Sequence, residues 1–182
     1  MKVTKTPIEG LVIIEPQVYG DARGYFKEVW TRRDFEAAVG AVDFVQENQS
    51  RSHRGVVRGL HFQRPPYAQA KLVRVVEGTV LDVAVDLRSG SPTYGKWHAV
   101  ELSADNHRQL FIPRGMAHGF AVLSDTATFI YLCDNYYHPE VEDGLPWNDP
   151  AIGIDWRIDT SEVILSPKDM NFTPFAEFVT PF

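Results

Sequence analysis

Apolar and polar residues alternate along most of this chain in short runs, and many of the apolar residues are β-branched. Gly, Pro, Asn, Asp or Ser residues separate most of the runs, as expected for strands joined by turns. Eight or more strands at this spacing predict an all-β sandwich or barrel. The predicted strands are Leu11–Ile14, Val56–Phe62, Lys71–Val76, Val80–Leu87, Trp97–Leu102, Gln109–Ile112, Phe120–Leu123 and Thr128–Cys133.

The pattern predicts one helix. Thr31 is placed to cap its N-terminus, Asp34 lies in the first turn, and Gly40 ends it. Phe35 and Val39 fall on one face of this helix, so we expect that face to pack against the sheet.

The C-terminal segment, residues 137–182, is rich in Pro and Trp, which favours turns and short helices wrapped around the sheet. Ser166 is placed to cap the turn that carries Lys168 and Asp169. The chain contains no repeat, linker or low-complexity tract, so residues 1–182 are predicted to form a single domain.

Polar residues interrupt the predicted strand that contains Leu60. His61 and Gln63 share one face of this strand, because side chains alternate between faces. Arg58 falls on the opposite face unless Gly59 forms a bulge, which would shift the alternation by one residue. The polar side chains either face solvent or line a cleft, and strand periodicity leaves both readings open.

Two further strands carry charged residues next to apolar rows. Lys71 shares a face with Val73 and Val75, so an ammonium group lies at the end of an apolar row. Such a lysine is usually an edge residue that extends its charge into water, but the apolar mouth of a barrel with a few polar groups is a typical ligand site. In Val80–Leu87, one face is strongly apolar and the other carries two carboxylates.

Composition narrows the possible classes of protein. The net charge is −6, with 18 basic and 24 acidic residues and no long basic run, which argues against nucleic-acid binding. No apolar run is long enough to span a bilayer, and the N-terminus lacks the pattern of a secretory signal, so we expect a cytoplasmic protein without membrane contact. The single Cys133 excludes an internal disulfide and fits a reducing compartment.

The run FIPRGMAHGF, residues 111–120, resembles the second motif of the cupin superfamily. Metal-binding cupins also need two histidines separated by one residue in their first motif, since an open metal site takes about three protein ligands. The corresponding positions here read His61-Phe62-Gln63, so the second histidine is absent. A metal site is therefore not expected.

Acid–base chemistry is the alternative use for these side chains. An unperturbed histidine has a pKa of about 6.5, so a neighbouring carboxylate could make His61 a base at neutral pH. Asp169 and Asp82 are both candidates for that carboxylate. Tyr131, which shares a strand face with Phe129, is either a phenolic acid or a core aromatic whose hydroxyl is hydrogen-bonded.

Together, these motifs resemble the dTDP-4-dehydrorhamnose 3,5-epimerase family over nearly the whole chain. The matching stretches are DARGYF at 21–26 with Glu28, FVQENQS at 44–50, VRGLHFQ at 57–63, QAKLV at 69–73, DVAVDLR at 82–88, AHGF at 117–120 and LSPKD at 165–169. Phe62 and Met116 depart mildly from residues common in the family, and neither change removes a proposed functional group.

The resemblance implies a jelly-roll cupin without metal or other cofactor, usually a homodimer, acting on a dTDP-4-keto-6-deoxy sugar on the way to dTDP-L-rhamnose. It implies His61 as base, Asp169 as its partner and Tyr131 as acid. The implied substrate-binding residues are Arg23, Phe26, Glu28, Gln46, Asn48, Arg58, Gln63, His118, Tyr137, Glu142 and Lys168. Tyr137 would lie beside the thymine, and Arg23 is a candidate for the site of the neighbouring subunit.

The implied chemistry suits these side chains. A ketone at C4 acidifies the hydrogens on C3 and C5, and epimerisation removes a proton from one face and returns one to the other. Lys71 would stabilise the enolate oxygen in a dry site, and Arg23, Arg58 and Lys168 would neutralise the diphosphate. No role is predicted for Gln69.

Three alternative functions remain open from the sequence. An epimerase could act at C3 or C5 alone on a related dTDP-keto-sugar. A metal-dependent cupin oxygenase or isomerase would need bound iron, manganese or zinc. A sugar-binding cupin would use the cleft for recognition only, without proton exchange.

Overall fold

The protein folds as two antiparallel sheets that face each other, and a computed structural model describes all residues from 1 to 182. The strands are β1 (Lys2–Lys5), β2 (Val12–Glu15), β3 (Val18–Asp21), β4 (Gly24–Lys27), β5 (Gln46–His53), β6 (Val57–Gln63), β7 (Lys71–Glu77), β8 (Thr79–Asp86), β9 (Trp97–Ser103), β10 (Gln109–Ile112), β11 (Met116–Val122), β12 (Thr126–Cys133) and β13 (Glu142–Gly144). The helices are α1 (Arg32–Ala38) and three 3₁₀ turns, Pro139–Val141, Thr160–Glu162 and Phe175–Glu177.

The sheets differ in size. The larger has the order β1-β2-β10-β7-β12-β5, and the smaller has the order β13-β6-β11-β8-β9. β3 and β4 form a separate hairpin. Neighbours that are distant in sequence imply long crossovers between the sheets, as in a jelly roll. The predicted all-β fold is confirmed. The helices lack the length and apolar character that crossing a membrane requires.

The main core lies between the two sheets, where Val73, Leu102, Leu110 and Phe129 are almost completely buried. β8 is buried along nearly its whole length, because both of its faces are covered: one lies in the main core, and the strongly apolar one faces outward. That outer face packs against the C-terminal segment, and a fully buried aliphatic side chain contributes about 1.5–3 kcal/mol. The Pro- and Trp-rich tail is thus a third layer of the sandwich.

The predicted helix is present but shorter than expected. It ends at Ala38, two residues before Gly40, and Phe35 packs against the outer face of the larger sheet. Thr31 occupies the N-cap position, but its hydroxyl makes no capping hydrogen bond. The predicted side-chain cap is therefore wrong; the hydroxyl is buried and has no hydrogen-bond partner.

In the C-terminal segment the predicted cap at Ser166 is present, since its hydroxyl accepts a hydrogen bond from the backbone N–H of Asp169 at 3.3 Å. This turn positions the Asp169 side chain beside the smaller sheet.

β6 contains an irregularity that decides which residues face the interior. His61 lies opposite His118, but Arg58 lies opposite Phe120, so β6 has one extra residue at this point. Gly59 has a φ of 126°, and a side-chain Cβ there would lie 2.8 Å from the carbonyl oxygen of His118. This is the bulge that the sequence left open. It turns Arg58 towards the larger sheet, where its Nε donates to Ser52 Oγ on β5 at 3.0 Å.

Candidate active site

A cleft of about 290 Å³ opens between the sheets where β5 and β7 begin and where β6 and β12 end. Its wall brings together polar side chains from five strands, β5, β6, β7, β12 and β13, and from the segments that precede β7 and follow β12. The lining residues are Gln46, Asn48, His61, Phe62, Gln63, Gln69, Lys71, Tyr131, Tyr137 and Glu142. Eight of the predicted catalytic and binding residues therefore share one cavity.

His61 is paired with Asp169, a residue 108 positions away in the sequence. His61 Nε2 lies 2.5 Å from Asp169 Oδ1, and Phe172 packs its edge against the imidazole with ring centres 5.8 Å apart. Burial alone would raise the pKa of Asp169, but the contacts with His61 and Ser166 outweigh burial and lower it. Of the two carboxylates predicted as partners of His61, the structure selects Asp169.

Lys71 and Tyr131 lie on neighbouring strands of the opposite sheet, with the ammonium 5.9 Å from the centre of the tyrosine ring. The Lys71 ammonium makes no hydrogen bond or ion pair within the chain. Burial lowers its pKa, and the interactions with Cys133, Glu142 and Asp82 partly offset that effect. Burial also raises the pKa of Tyr131. The cleft thus combines a lysine that has no partner within the chain with a phenol that keeps its proton.

At the mouth of the cleft, Glu142 accepts two hydrogen bonds on one oxygen. The Tyr137 hydroxyl donates to Glu142 Oε2 at 2.5 Å, and the Lys168 ammonium donates to the same atom. The bond to Glu142, together with burial, raises the pKa of Tyr137 to about 12. Burial would raise the pKa of Glu142, but Lys168 and Tyr137 outweigh it and lower that pKa. This carboxylate therefore stays ionised.

Amide side chains on β5 form a hydrogen-bonded chain along one wall. Gln46 Nε2 donates to Asn48 Oδ1 at 2.9 Å, and Asn48 Nδ2 lies 3.8 Å from Cys133 Sγ. Burial raises the pKa of Cys133 to about 11, so the thiol is neutral and can accept this weak bond. The chain of contacts fixes which end of each amide faces the cleft.

His118 lies behind the cleft wall and does not line it. Its Nε2 lies 3.0 and 3.1 Å from the two carboxylate oxygens of Asp82, and both residues are buried. Burial raises the pKa of Asp82 and lowers that of His118, so both shifts favour an uncharged pair. Nowhere in the chain do three His, Cys, Asp or Glu side chains converge in a way that could hold a metal ion.

Besides His118, five predicted binding residues are not among those that line the cleft of this chain: Arg23, Phe26, Glu28, Arg58 and Lys168. Arg23 and Phe26 lie on the β3–β4 hairpin, and Glu28 follows β4. Arg23 pairs with Asp21 at 2.6 Å, and the Phe26 side chain is 70% exposed. Tyr25 on the same hairpin is also exposed, so this segment presents an unusual number of aromatic rings to its surroundings.

Sequence reasoning missed some residues of the site. Phe172 packs against His61, but it lies in the C-terminal tail, where no periodic pattern indicates what a side chain contacts. Gln69 lines the cleft, and its Nε2 donates to the backbone carbonyl of Asn135 at 2.8 Å. A spacing argument could not have found this bond, because the two residues belong to different loops.

Known proteins resemble this chain in sequence. The model of the family described as dTDP-4-dehydrorhamnose 3,5-epimerase matches residues 5–177. The dTDP-4-dehydrorhamnose 3,5-epimerase of Escherichia coli (strain K12) is 54% identical over 180 residues, which cover 98% of this chain and 97% of the relative.

Solved structures resemble it equally closely. A crystal structure of dTDP-4-dehydrorhamnose 3,5-epimerase from Elizabethkingia anophelis matches with a TM-score of 0.93 and 51% identity, covering 97% of each chain. The dTDP-6-deoxy-D-glucose-3,5-epimerase of Legionella pneumophila, solved in complex with dTDP-4-keto-L-rhamnose, matches with a TM-score of 0.89 and 50% identity. That match covers 93% of this chain and 89% of the other.

Proposed function

The chain belongs to the dTDP-4-dehydrorhamnose 3,5-epimerase family, and on that premise we propose how its cleft carries out the reaction. The enzyme is an isomerase that forms dTDP-4-dehydro-L-rhamnose from dTDP-4-dehydro-6-deoxy-D-glucose in dTDP-L-rhamnose biosynthesis. The observation that carries the mechanism is the His61–Asp169 pair, which shares one cleft with Lys71 and Tyr131.

His61 is the base that removes the protons from C3 and C5. Its hydrogen bond to the buried Asp169 holds the imidazole in one orientation and stabilises the imidazolium that forms. The low pKa of Asp169 supports this role, because an ionised carboxylate is what a protonated histidine needs beside it. Proton transfer by a positioned side chain contributes about a hundred- to ten-thousand-fold in rate.

Lys71 stabilises the negative charge that develops on the C4 oxygen when a proton leaves. The ammonium has no partner within the chain, so it is free to bind this oxygen in a site partly closed to water. Deleting one such donor in an enzyme costs on the order of 3 kcal/mol of transition-state stabilisation.

Tyr131 returns a proton to the opposite face of the ring. Its side chain projects from β12 of the larger sheet, whereas His61 projects from β6 of the smaller sheet, so a sugar between them is flanked on two sides. The raised pKa of Tyr131 supports an acid role, since the phenol keeps its proton at neutral pH.

The nucleotide lies towards the mouth of the cleft. Tyr137, half exposed there, is proposed to contact the thymine. Arg58 and Lys168 are proposed to bind the diphosphate, and Arg is suited to two-point phosphate contacts.

Arg23, Phe26 and Glu28 complete the site from a neighbouring subunit in a homodimer. Their exposure on and beside the β3–β4 hairpin supports this part of the proposal, because they do not reach the cleft of their own chain. The reaction itself needs no cofactor, since a ketone already acidifies both positions. Metal-stripped protein should therefore retain full turnover, and activity that returns only with added metal would overturn this point.

Deuterium incorporation from D₂O into dTDP-4-keto-6-deoxy-glucose tests the function directly. We expect label at both C3 and C5, detected by mass spectrometry and NMR of the recovered sugar. Label at only one carbon would show a single-position epimerase. Nucleotide-sugar binding without any exchange would show a binding protein instead.

A further inference from the structure

Residues 135–138, which we call the strap, follow β12 and cross the mouth of the cleft. The strap belongs to no strand or helix, and residues 135–137 make no backbone-to-backbone hydrogen bond. It carries Tyr137, whose hydroxyl bonds Glu142. Backbone groups without partners in the protein can bond water equally well in many conformations. A segment of this kind therefore stays in one conformation only if side chains bond its backbone groups.

Three glutamine side chains supply those partners. Gln46 Oε1 accepts from the N–H of Tyr137 at 3.1 Å, and Gln69 Nε2 donates to the carbonyl of Asn135 at 2.8 Å. Gln63 holds the strap twice: its Oε1 accepts from the N–H of His138 at 2.6 Å, and its Nε2 donates to the carbonyl of Tyr136 at 3.0 Å. Three different parts of the sandwich thus fix four consecutive backbone residues.

Gln63 makes more hydrogen bonds within the protein than either of the other two glutamine side chains. It is 3% exposed, and its second amide hydrogen goes to the carbonyl of Tyr67 at 2.7 Å. A glutamine side chain has two hydrogens to donate, and both are used within the protein. It therefore has no donor left for a ligand, although its side chain forms part of the cleft wall.

We propose that Gln63 is a positioning residue for the nucleotide: it fixes the strap so that the ring of Tyr137 is held in place before the ligand arrives. Gln69 has the same task at the other end of the strap. This inference rests on the proposed function, because it takes Tyr137 as a contact of the nucleotide. It departs from a direct substrate-binding role for Gln63, and it gives Gln69 a function.

Prior ordering matters because a ligand that must immobilise a loose segment loses affinity by doing so. A glutamine that acts through Tyr137 should affect binding of the nucleotide and leave the proton-transfer groups in place. The substitution Gln63→Met keeps the length of the side chain, adds no charge that could repel a diphosphate, and removes all three hydrogen bonds.

The experiment measures dTDP affinity by calorimetry and solvent exchange at saturating substrate, for wild type and for Gln63→Met, Tyr137→Ala and the double variant. We expect Gln63→Met to weaken dTDP binding about tenfold, a typical effect of leaving buried hydrogen-bonding groups unpaired. The maximal exchange rate should change by less than about twofold. In the Tyr137→Ala background, Gln63→Met should weaken binding little further, because coupled residues are not additive.

Gln17→Met is the matched control, since Gln17 is exposed and bonds only the carbonyl of Val18 beside it. If Gln63→Met does not fold, as judged by circular dichroism, Gln69→Met replaces it in the experiment. Gln69 is less buried, and its substitution removes only one hydrogen bond to the strap. Unchanged dTDP affinity, full additivity with Tyr137→Ala, or a fall in the exchange rate with unchanged affinity would overturn the proposal. Wild-type protein that neither binds dTDP nor exchanges solvent would instead refute the proposed function.

Discussion

Two histidine–aspartate pairs lie side by side in the smaller sheet, and they differ in almost everything except their residue types. His61 on β6 is directly opposite His118 on β11. His61 pairs with Asp169 from the C-terminal segment, whereas His118 pairs with Asp82 from the neighbouring strand β8. The two imidazoles are thus strand neighbours with separate carboxylates.

Exposure separates the two pairs. The His61 side chain is 26% exposed and opens into the cleft, whereas that of His118 is 8% exposed. Hydrogen bonds keep the pKa of Asp169 low in spite of its burial, but burial dominates for Asp82 and raises its pKa. The same two residue types therefore shift the pKa of the carboxylate in opposite directions, downward for Asp169 and upward for Asp82. Residue identity alone does not define a base; access to substrate and a charged partner do.

The largest expected effect is that of His61→Ala. It should slow deuterium exchange at both carbons by about a hundred- to ten-thousand-fold, because the base is lost. The free energy of unfolding should fall by about 1–3 kcal/mol, because the buried Asp169 loses its hydrogen-bond partner, and the variant should remain folded in the assay. His53→Ala, at an exposed position near the end of β5, is the control and should exchange normally. Near-normal exchange by His61→Ala would assign the base elsewhere.

Tyr131→Phe should have a smaller effect and one of a different kind. Product formation is expected to fall about a hundredfold, the lower end for loss of an acid, while proton removal by His61 continues. Following exchange and product separately by NMR would reveal the difference. An equal loss of both would mean that Tyr131 is needed for the first step as well.

Asp82 variants test the buried pair through stability. Asp82→Ala leaves His118 without a partner and should lower the free energy of unfolding by about 1–3 kcal/mol, measured with urea. Asp82→Asn should cost less, because the amide keeps the shape of the side chain and can still hydrogen-bond the His118 imidazole. Both variants should still exchange solvent where folded. A loss of exchange as large as that of His61→Ala would mean that the two pairs act as one unit.

The smallest effect concerns pH. The folded pKa of Asp169 is depressed, so its stabilisation is present above its unfolded value of about 3.9 and is lost as pH falls through the lower folded value. The folded pKa of Asp82 is raised, so its contribution declines as pH rises above about 3.9. Urea titrations from pH 3 to pH 7 should show a shallower rise of stability for Asp169→Asn and a steeper one for Asp82→Asn. Parallel curves for the two variants would contradict the opposite signs.

Strands that bury apolar residues could be predicted from the sequence. Strands whose side chains are mostly exposed could not. β5 reads QENQSRSH and contains no apolar residue, so its pattern gave no strand, although it pairs with β12 along its whole length. The exposed hairpin of β3 and β4 was missed for a similar reason. In these strands pairing with a neighbour, rather than side-chain burial, determines the structure.

The site was predicted mainly from family motifs, because its parts are far apart in the sequence. Strand alternation put Lys71 on the face of Val73 and Tyr131 on the face of Phe129 but left the role of each open, and the motifs brought in Asp169. Neither could reveal that Asp82 belongs to His118 or that Gln63 has no free donor. Those facts depend on loop conformations and on pairings between strands, which periodicity does not encode.

The bulge at Gly59 means that chain length at this point matters as much as residue identity. One extra residue in β6 is what sets Arg58 and His61 on the same side of the sheet. Deleting it would restore simple alternation and turn the guanidinium towards the aromatic layer of the C-terminal tail, even though every functional residue would still be encoded. Insertions and deletions between Arg58 and His61 are therefore expected to be far less tolerated in evolution than substitutions at the positions around them.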